Sequence, residues 1–181
     1  LEVNLLGPHR VARAFLPLLR NHAASGRTAK LVNVGSVGSL IGVPWEAFYH
    51  ASKFGLLGWS ESIAVELRAQ GIRVSVVMPG GIRTPFIEKT TAATRAARDA
   101  LPGAAPEGYR RGLGRMAEMA GRADRFGSPP DKVAARIARL VAMREPPARV
   151  LVGPDARLLA ALRRWLPGRG FERLMAATFA P

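Results

Sequence analysis

Apolar and polar positions follow two different rhythms along this chain. Leu31-Val32-Asn33-Val34 and Val74-Ser75-Val76-Val77-Met78 are short, dense, β-branched runs. Runs of this kind read as strands buried on both faces, as in a parallel sheet covered by helices. They predict strands over 30–36 and 72–78, and Arg149 to Val152 predicts a short third. Elsewhere the spacing is helical. From Leu1 to Arg20 the apolar positions are Val3, Leu6, Val11, Ala14, Phe15, Leu18 and Leu19. Pro8 predicts a bend there, or an ordered helix that starts near it. His50 to Gln70 predicts a second helix, with Gly71 as its C-cap. Its apolar residues Ala51, Phe54, Leu56, Leu57, Trp59, Ile63, Ala64, Val65 and Leu67 fall almost all round the axis, at about 100° per residue. A helix apolar on every side is buried on two sides. One side covers the sheet, and the other, with Trp59 and Ile63 near its centre, needs a partner.

The rest of the chain is less regular. Residues 85–128 hold an Ala/Arg-rich run, a Pro/Gly break at 102–108 and a Met-bearing helical stretch at 109–122. Pro129-Pro130-Asp131 opens a further helix to about Arg144, with Val133, Ile137, Leu140 and Val141 on one face. The end is basic and amphipathic. Leu158, Leu159, Leu162, Trp165 and Leu166 make a stripe beside Arg157, Arg163 and Arg164. Such a helix docks on a membrane surface or an acyl chain, or covers the domain or a neighbouring subunit. Covering is the favoured reading. The expected organisation is an α/β unit over 1–153, with 85–128 as a variable insertion, and a helical tail over 154–181.

Composition narrows the function classes. Hydrophobic content of 48% supplies a sizeable core and excludes a disordered chain. With no Cys, neither disulfides nor a thiolate metal site is available. His9, His22 and His50 lack metal-ligand spacing, so no metal is expected. Net charge is +14, and only four of the 27 cationic residues are Lys. A nucleic-acid binder rests on that charge alone. The Arg are spread along the chain without a recognition helix or aromatic platform, so no specific nucleic acid is expected. No apolar run approaches the roughly 18 residues that span a bilayer. A cytoplasmic protein, with peripheral membrane association through the tail as the alternative, is the expectation.

The candidate chemistry centres on Tyr49-His50-Ala51-Ser52-Lys53. Tyr49 and Lys53 share one helical face. A phenol titrates near 10 and is a poor acid or base at neutral pH, whereas an ammonium held close lowers that value. Ser36, 13 residues earlier at a strand end, offers a hydroxyl to a carbonyl or alcohol oxygen. Tyr-x-x-x-Lys alone is a weak motif. Its setting is not: Leu31-Val32-Asn33-Val34-Gly35-Ser36 precedes it, Pro79-Gly80-Gly81-Ile82-Arg83-Thr84 follows a buried strand, and Glu2-Val3-Asn4-Leu5-Leu6-Gly7 opens the chain. With these motifs in this order the chain resembles the short-chain dehydrogenase/reductase family.

That resemblance implies an α/β, Rossmann-like, doubly wound parallel sheet, partial here because its N-terminal strands are missing. It implies catalytic roles for Asn4, Ser36, Tyr49 and Lys53. It implies cofactor contacts from Asn4, Tyr49, Lys53, Pro79, Gly80, Ile82 and Thr84, with NAD or NADP as cofactor. The small-molecule substrate would be an alcohol or its ketone or aldehyde, and Val152-Gly153-Pro154-Asp155 with the long 85–128 lid suggests a lipophilic one. Homodimers or homotetramers through the first two helices are implied as well. The family's Gly-rich first turn, ribose-binding acid and Asn-Asn-Ala-Gly stretch have no counterpart in these residues. The alternative is therefore an inactive partial chain or an interaction module.

Overall fold

The computed structural model describes residues 1–179, leaving aside the side chains of residues 123 and 124. A π-helical turn (Glu2–Leu6) leads into α1 (Gly7–Ala24). Then follow β1 (Ala29–Val34), a 3-10 turn (Val37–Ser39), α2 (Ala47–Arg68) and β2 (Ile72–Pro79). Helices α3 (Pro85–Asp99), α4 (Glu107–Phe126) and α5 (Pro130–Ala142) precede β3 (Arg149–Val152), and α6 (Pro154–Trp165) and α7 (Gly168–Phe179) close the chain. The three strands are parallel in the order β1-β2-β3. Ala29 to Val34 lie opposite Ile72 to Val77, and Val76 to Pro79 opposite Arg149 to Val152.

The fold class is thus α/β, with helices on both faces of the sheet. Successive strand residues point to opposite faces. Ala29, Ile72 and Val74 meet Leu67 and Ile63 of α2 and Leu16, Leu19 and Ala23 of α1. Val76 and Met78 continue that face against Leu57. On the other face Val32, Val77, Val150 and Val152 pack against Val133, Ile137 and Leu140 of α5. Two polar side chains are buried in the sheet. Asn33 Nδ2 donates to Ser60 Oγ at 2.9 Å, and that hydroxyl donates on to the Leu56 carbonyl at 2.6 Å. Ser75 Oγ donates to the Pro147 carbonyl at 2.9 Å, tying β2 to the turn before β3.

Several expectations shift in detail. The first strand ends at Val34, before Gly35 and Ser36. The second helix begins at Ala47, so Tyr49 lies inside its first turn. Of the two readings of Pro8 the second holds, since α1 starts at Gly7 and Pro8 occupies its opening turn. Gly71 takes φ +73°, turning the chain from α2 into β2. Trp59 and Ile63 are not an outward face. Trp59 meets the His9 ring edge-on with centroids 5.8 Å apart, and Ile63 joins the Leu67 cluster. Both turn toward α1 because α1 lies beside α2 on the same face of the sheet. The outward apolar residues are Val11, Phe15 and Leu18 of α1 and Phe48, Phe54 and Val65 of α2.

The C-terminal helices cover the domain. Leu159 and Leu162 of α6, Leu166 just after it, and Phe171, Met175 and Phe179 of α7 pack on Ile41, Leu40 and Val43 of the loop after the 3-10 turn. The predicted stripe is split, because Leu158 and Trp165 remain outside at 61% and 78% exposure.

Ser60→Ala strands the buried Asn33 amide without its acceptor. An unsatisfied buried donor costs about 1–3 kcal/mol, so the unfolding free energy from urea titration is expected to fall by that amount, with a lower midpoint at unchanged slope. Ser62→Ala, two residues on and exposed, leaves the midpoint unchanged.

Candidate active site

The site lies where β1 and β2 end, the place where open α/β sheets gather functional groups. Ser36 has extended backbone (φ −163°, ψ 163°), and its Oγ accepts the Gly38 N–H at 3.0 Å. Ser39 Oγ accepts the Ser36 N–H in return, at 3.4 Å. Gly38 passes close over the start of α2. A Cβ there would lie 3.0 Å from His50 Nδ1 and 3.2 Å from the Tyr49 ring. His50 Nδ1 donates to the Gly38 carbonyl at 3.0 Å, which fixes that approach.

Tyr49 is half-buried. Burial pushes its phenol above the ordinary tyrosine value. The Ser36 side chain opposes that shift, and the Glu46 carboxylate adds to it. Lys53 lies one turn on. Its Nζ donates to the Val34 carbonyl at 3.2 Å and stands 5.9 Å from the Tyr49 ring centroid. Burial holds its ammonium below the ordinary lysine value. The expected lowering of Tyr49 by Lys53 is therefore absent in this arrangement, because desolvation outweighs an ammonium drawn toward a carbonyl. Glu46 is itself raised by burial, with His50 opposing.

Asn4 reaches the same helix by a relay. Its Nδ2 donates to Ser52 Oγ at 3.1 Å, and Ser52 donates to the Tyr49 carbonyl at 2.7 Å. Asn4, Ser36, Tyr49 and Lys53 are thus brought together around one turn of α2.

Pro79 ends β2, and the segment after it is pinned from two sides. The Gly81 N–H donates to Asp155 Oδ2 at 2.6 Å. A Cβ on Gly80 would lie 2.1 Å from the same oxygen, so only glycine fits there. Ile82 bridges Ser128, with Ser128 N–H donating to the Gly81 carbonyl at 2.9 Å and Arg83 N–H to the Ser128 carbonyl at 3.1 Å. Thr84 precedes α3 in extended conformation, and its hydroxyl lies 3.5 Å from the Ile82 carbonyl.

Sequence reasoning missed Glu46, Ser52 and Asp155. Ser52 carried a signal, since its hydroxyl can reach back three residues to the Tyr49 carbonyl. Asp155 carried one in the Gly-Pro-Asp that opens α6. Among the described residues no group of three or more His, Asp or Glu side chains could hold a metal ion.

A family model described as short chain dehydrogenase matches residues 1–95. The chain belongs to that family. It is 32% identical to a 3-ketodihydrosphingosine reductase of Bacteroides thetaiotaomicron, over 99% of this chain and 63% of that protein. Human 17-beta-hydroxysteroid dehydrogenase type 1 is 43% identical over 49% of this chain and 26% of its own length. The chain spans about half to two thirds of the length of the relatives it matches along most of its course. Among solved structures, a short chain dehydrogenase of Burkholderia cenocepacia in complex with NADP superimposes with TM-score 0.58, at 24% identity, over 99% of this chain and 57% of that one. One from Burkholderia phymatum in complex with NAD gives 0.66 at 24% identity, over 90% and 55%. These two likenesses show the fold.

The position of Glu46 generates a titration test. Glu46→Gln removes a negative charge near the phenol, and that charge disfavours phenolate. The Tyr49 pKa is expected to fall. Ultraviolet difference titration in a Tyr109→Phe background, which leaves Tyr49 as the remaining tyrosine of this sequence, reads it directly. A value that stays put or rises contradicts the assigned electrostatics.

Proposed function

We propose that this chain belongs to an NAD- or NADP-dependent oxidoreductase that interconverts an alcohol with its ketone or aldehyde. The gathering of Ser36, Tyr49 and Lys53 at the ends of β1 and β2, with Asn4 tied to Tyr49 through Ser52, carries the reading. The residues present suit a nicotinamide ribose. A lysine ammonium has three donors, and the Val34 carbonyl takes one. Asn4, Tyr49 and Lys53, with Pro79, Gly80, Ile82 and Thr84, would hold that end of the cofactor. Bound NAD or NADP supplies or takes the hydride.

The chain's own residues then handle the proton. Ser36 donates a hydrogen bond to the substrate oxygen and holds it beside Tyr49. Tyr49, a phenol that is neutral at physiological pH and that burial holds further from ionisation, gives its proton to that oxygen in reduction and takes it back in oxidation. Lys53 stabilises the phenolate that forms when it is drawn from Val34 toward the ribose. Asn4 keeps the first turns of α2 in place through Ser52 and holds a water that returns protons toward Lys53.

Residues 85–128 form the lid in this reading, on an α/β unit over 1–153 followed by the 154–181 tail, whose residues up to Phe179 pack on the loop after the 3-10 turn. A lipophilic substrate is supported by two of the curated relatives, one named for a ketodihydrosphingosine and one for a hydroxysteroid. Leu158 and Trp165, exposed beside Arg157 and Arg164, suit peripheral contact with an anionic membrane surface of a cytoplasmic enzyme. The outward residues Val11, Phe15, Leu18 and Val65 suit a homodimer or homotetramer through α1 and α2.

Two outcomes are expected in the longest natural chain that carries this sequence. Tyr49→Phe loses turnover by at least about a hundredfold, the low end of what a general acid contributes, while titration calorimetry finds cofactor affinity within a few-fold of the parent. Near-normal turnover sinks the assigned role. Phe15→Glu with Leu18→Glu reduces the sedimenting mass to that of a monomer. An unchanged mass removes α1 from the interface.

A further inference from the structure

Trp45 is the sole described non-glycine residue with positive φ, at +73°. A bulky side chain is rarely found in the left-handed region, and such a residue persists where its surroundings hold it there. What holds Trp45 is the lid. Its ring meets the Tyr109 ring edge-on, with centroids 4.8 Å apart and planes at 66°. Its six-membered edge lies over Gly112, where a Cβ would come within 2.5 Å of Trp45 Cζ2. Tyr109, Gly112, Met116 and Met119 fall on one face of α4. Met119 carries that face onto the cluster of Ile41 and Val43, in the loop that leaves Ser36. The strained backbone, the missing Cβ and the ring pair therefore serve one contact between the Ser36–Tyr49 loop and the lid.

The contact leaves aromatic surface uncovered. Trp45 is 38% exposed and Tyr109 51%. Trp45 stands four residues before Tyr49, where the loop enters α2. We propose that Trp45 and Tyr109, seated by Gly112, form the specificity-determining wall of the substrate site and bind a substrate whose carbonyl or alcohol carbon carries an extended apolar body. The inference rests on the oxidoreductase reading and names the residues that select for it. A long alkyl chain and a fused ring system share the chemistry required: apolar surface removed from water against two aromatic faces, without a charged partner.

The test uses the longest natural chain carrying this sequence and a matched pair of ketones, one short and one bearing a long alkyl chain, with a steroid ketone as a third arm. Trp45→Ala and Gly112→Leu each unseat the wall by a different route. Both are expected to lower kcat/KM for the long-chain or steroid ketone by about tenfold or more, through KM. The short ketone stays within about threefold, which excludes general unfolding. The arm that suffers the larger loss distinguishes a chain from a ring system. Equal losses on long and short substrates, or no loss on either apolar arm, overturn the proposal.

A binding readout separates this failure from that of the enzyme reading. With Trp59 and Trp165 changed to Phe, difference fluorescence between chains with and without Trp45 isolates that indole. Saturable quenching by the apolar ketone, absent with the short one, supports the wall even where no ketone turns over. Silence of that signal overturns the wall whatever the activity.

Discussion

Burial of β2 governs the rest of this structure. From Val74 to Pro79 every residue of the strand is buried, and Ile72 before them is fully enclosed. A strand so placed needs a neighbour on each edge and a cover on each face, because its peptide groups and its side chains are both shut in. β1 and β3 answer the first need, and α1 with α2 and then α5 answer the second. Each covered valine, isoleucine or methionine contributes about 1.5–3 kcal/mol. β2 alone therefore carries a large part of the favourable side of the folding balance. The local direction of the chain follows. β2 must stop where its cover stops, and there the Pro79–Thr84 segment emerges with the Ser36 loop beside it.

The two ends of the sheet are held by different forces. At the N-terminal end, Arg73 makes a paired contact with Glu145, at 2.8 Å from each of two nitrogens, and Arg149 pairs with Glu61. These pairs are solvent-facing and worth little individually. At the C-terminal end the groups are partly buried, and burial displaces both Tyr49 and Lys53 toward their neutral forms. Both shifts have one origin, yet they act oppositely on stability with pH. Lys53, with its folded pKa lowered, binds fewer protons in the folded than in the unfolded state, so its contribution improves as pH rises toward the ordinary lysine value. Tyr49, with its folded pKa raised, costs stability only above the ordinary phenol value. Across neutral pH the pair is held with Tyr49 protonated.

The parts of this picture that are legible in the sequence are those set by period and type. Dense β-branched runs mark β1 and β2 because a strand enclosed on both faces tolerates little else. Tyr49 and Lys53 share a face because four residues make about one helical turn. The facing of Trp59 and Ile63 was not legible. An all-round apolar helix tells how many sides are covered but not which neighbour covers each, and that is decided by where α1 lies. The pins on the Pro79–Thr84 segment were hidden for a similar reason. Asp155 stands 74 residues from Gly81, and no local pattern announces a contact closed by the topology of a sheet.

The glycines show how such long-range contacts still leave local traces. Gly80 and Gly153 both press against the Asp155 carboxylate, with Cβ positions 2.1 and 2.5 Å from its oxygens. Gly153 also takes φ +108°, which a side chain would resist. One carboxylate thus demands glycine on two segments that are distant in sequence. Gly112 does the same for Trp45, and Gly38 for His50. Gly80, Gly112 and Gly38 each admit a group from another element where a methyl would crowd it, and those three groups, Asp155, Trp45 and His50, lie on loops or helix starts. The glycines around the site are there for close approach more than for flexibility. Replacing one of them does not loosen its own loop; it displaces the partner that the loop was shaped to admit.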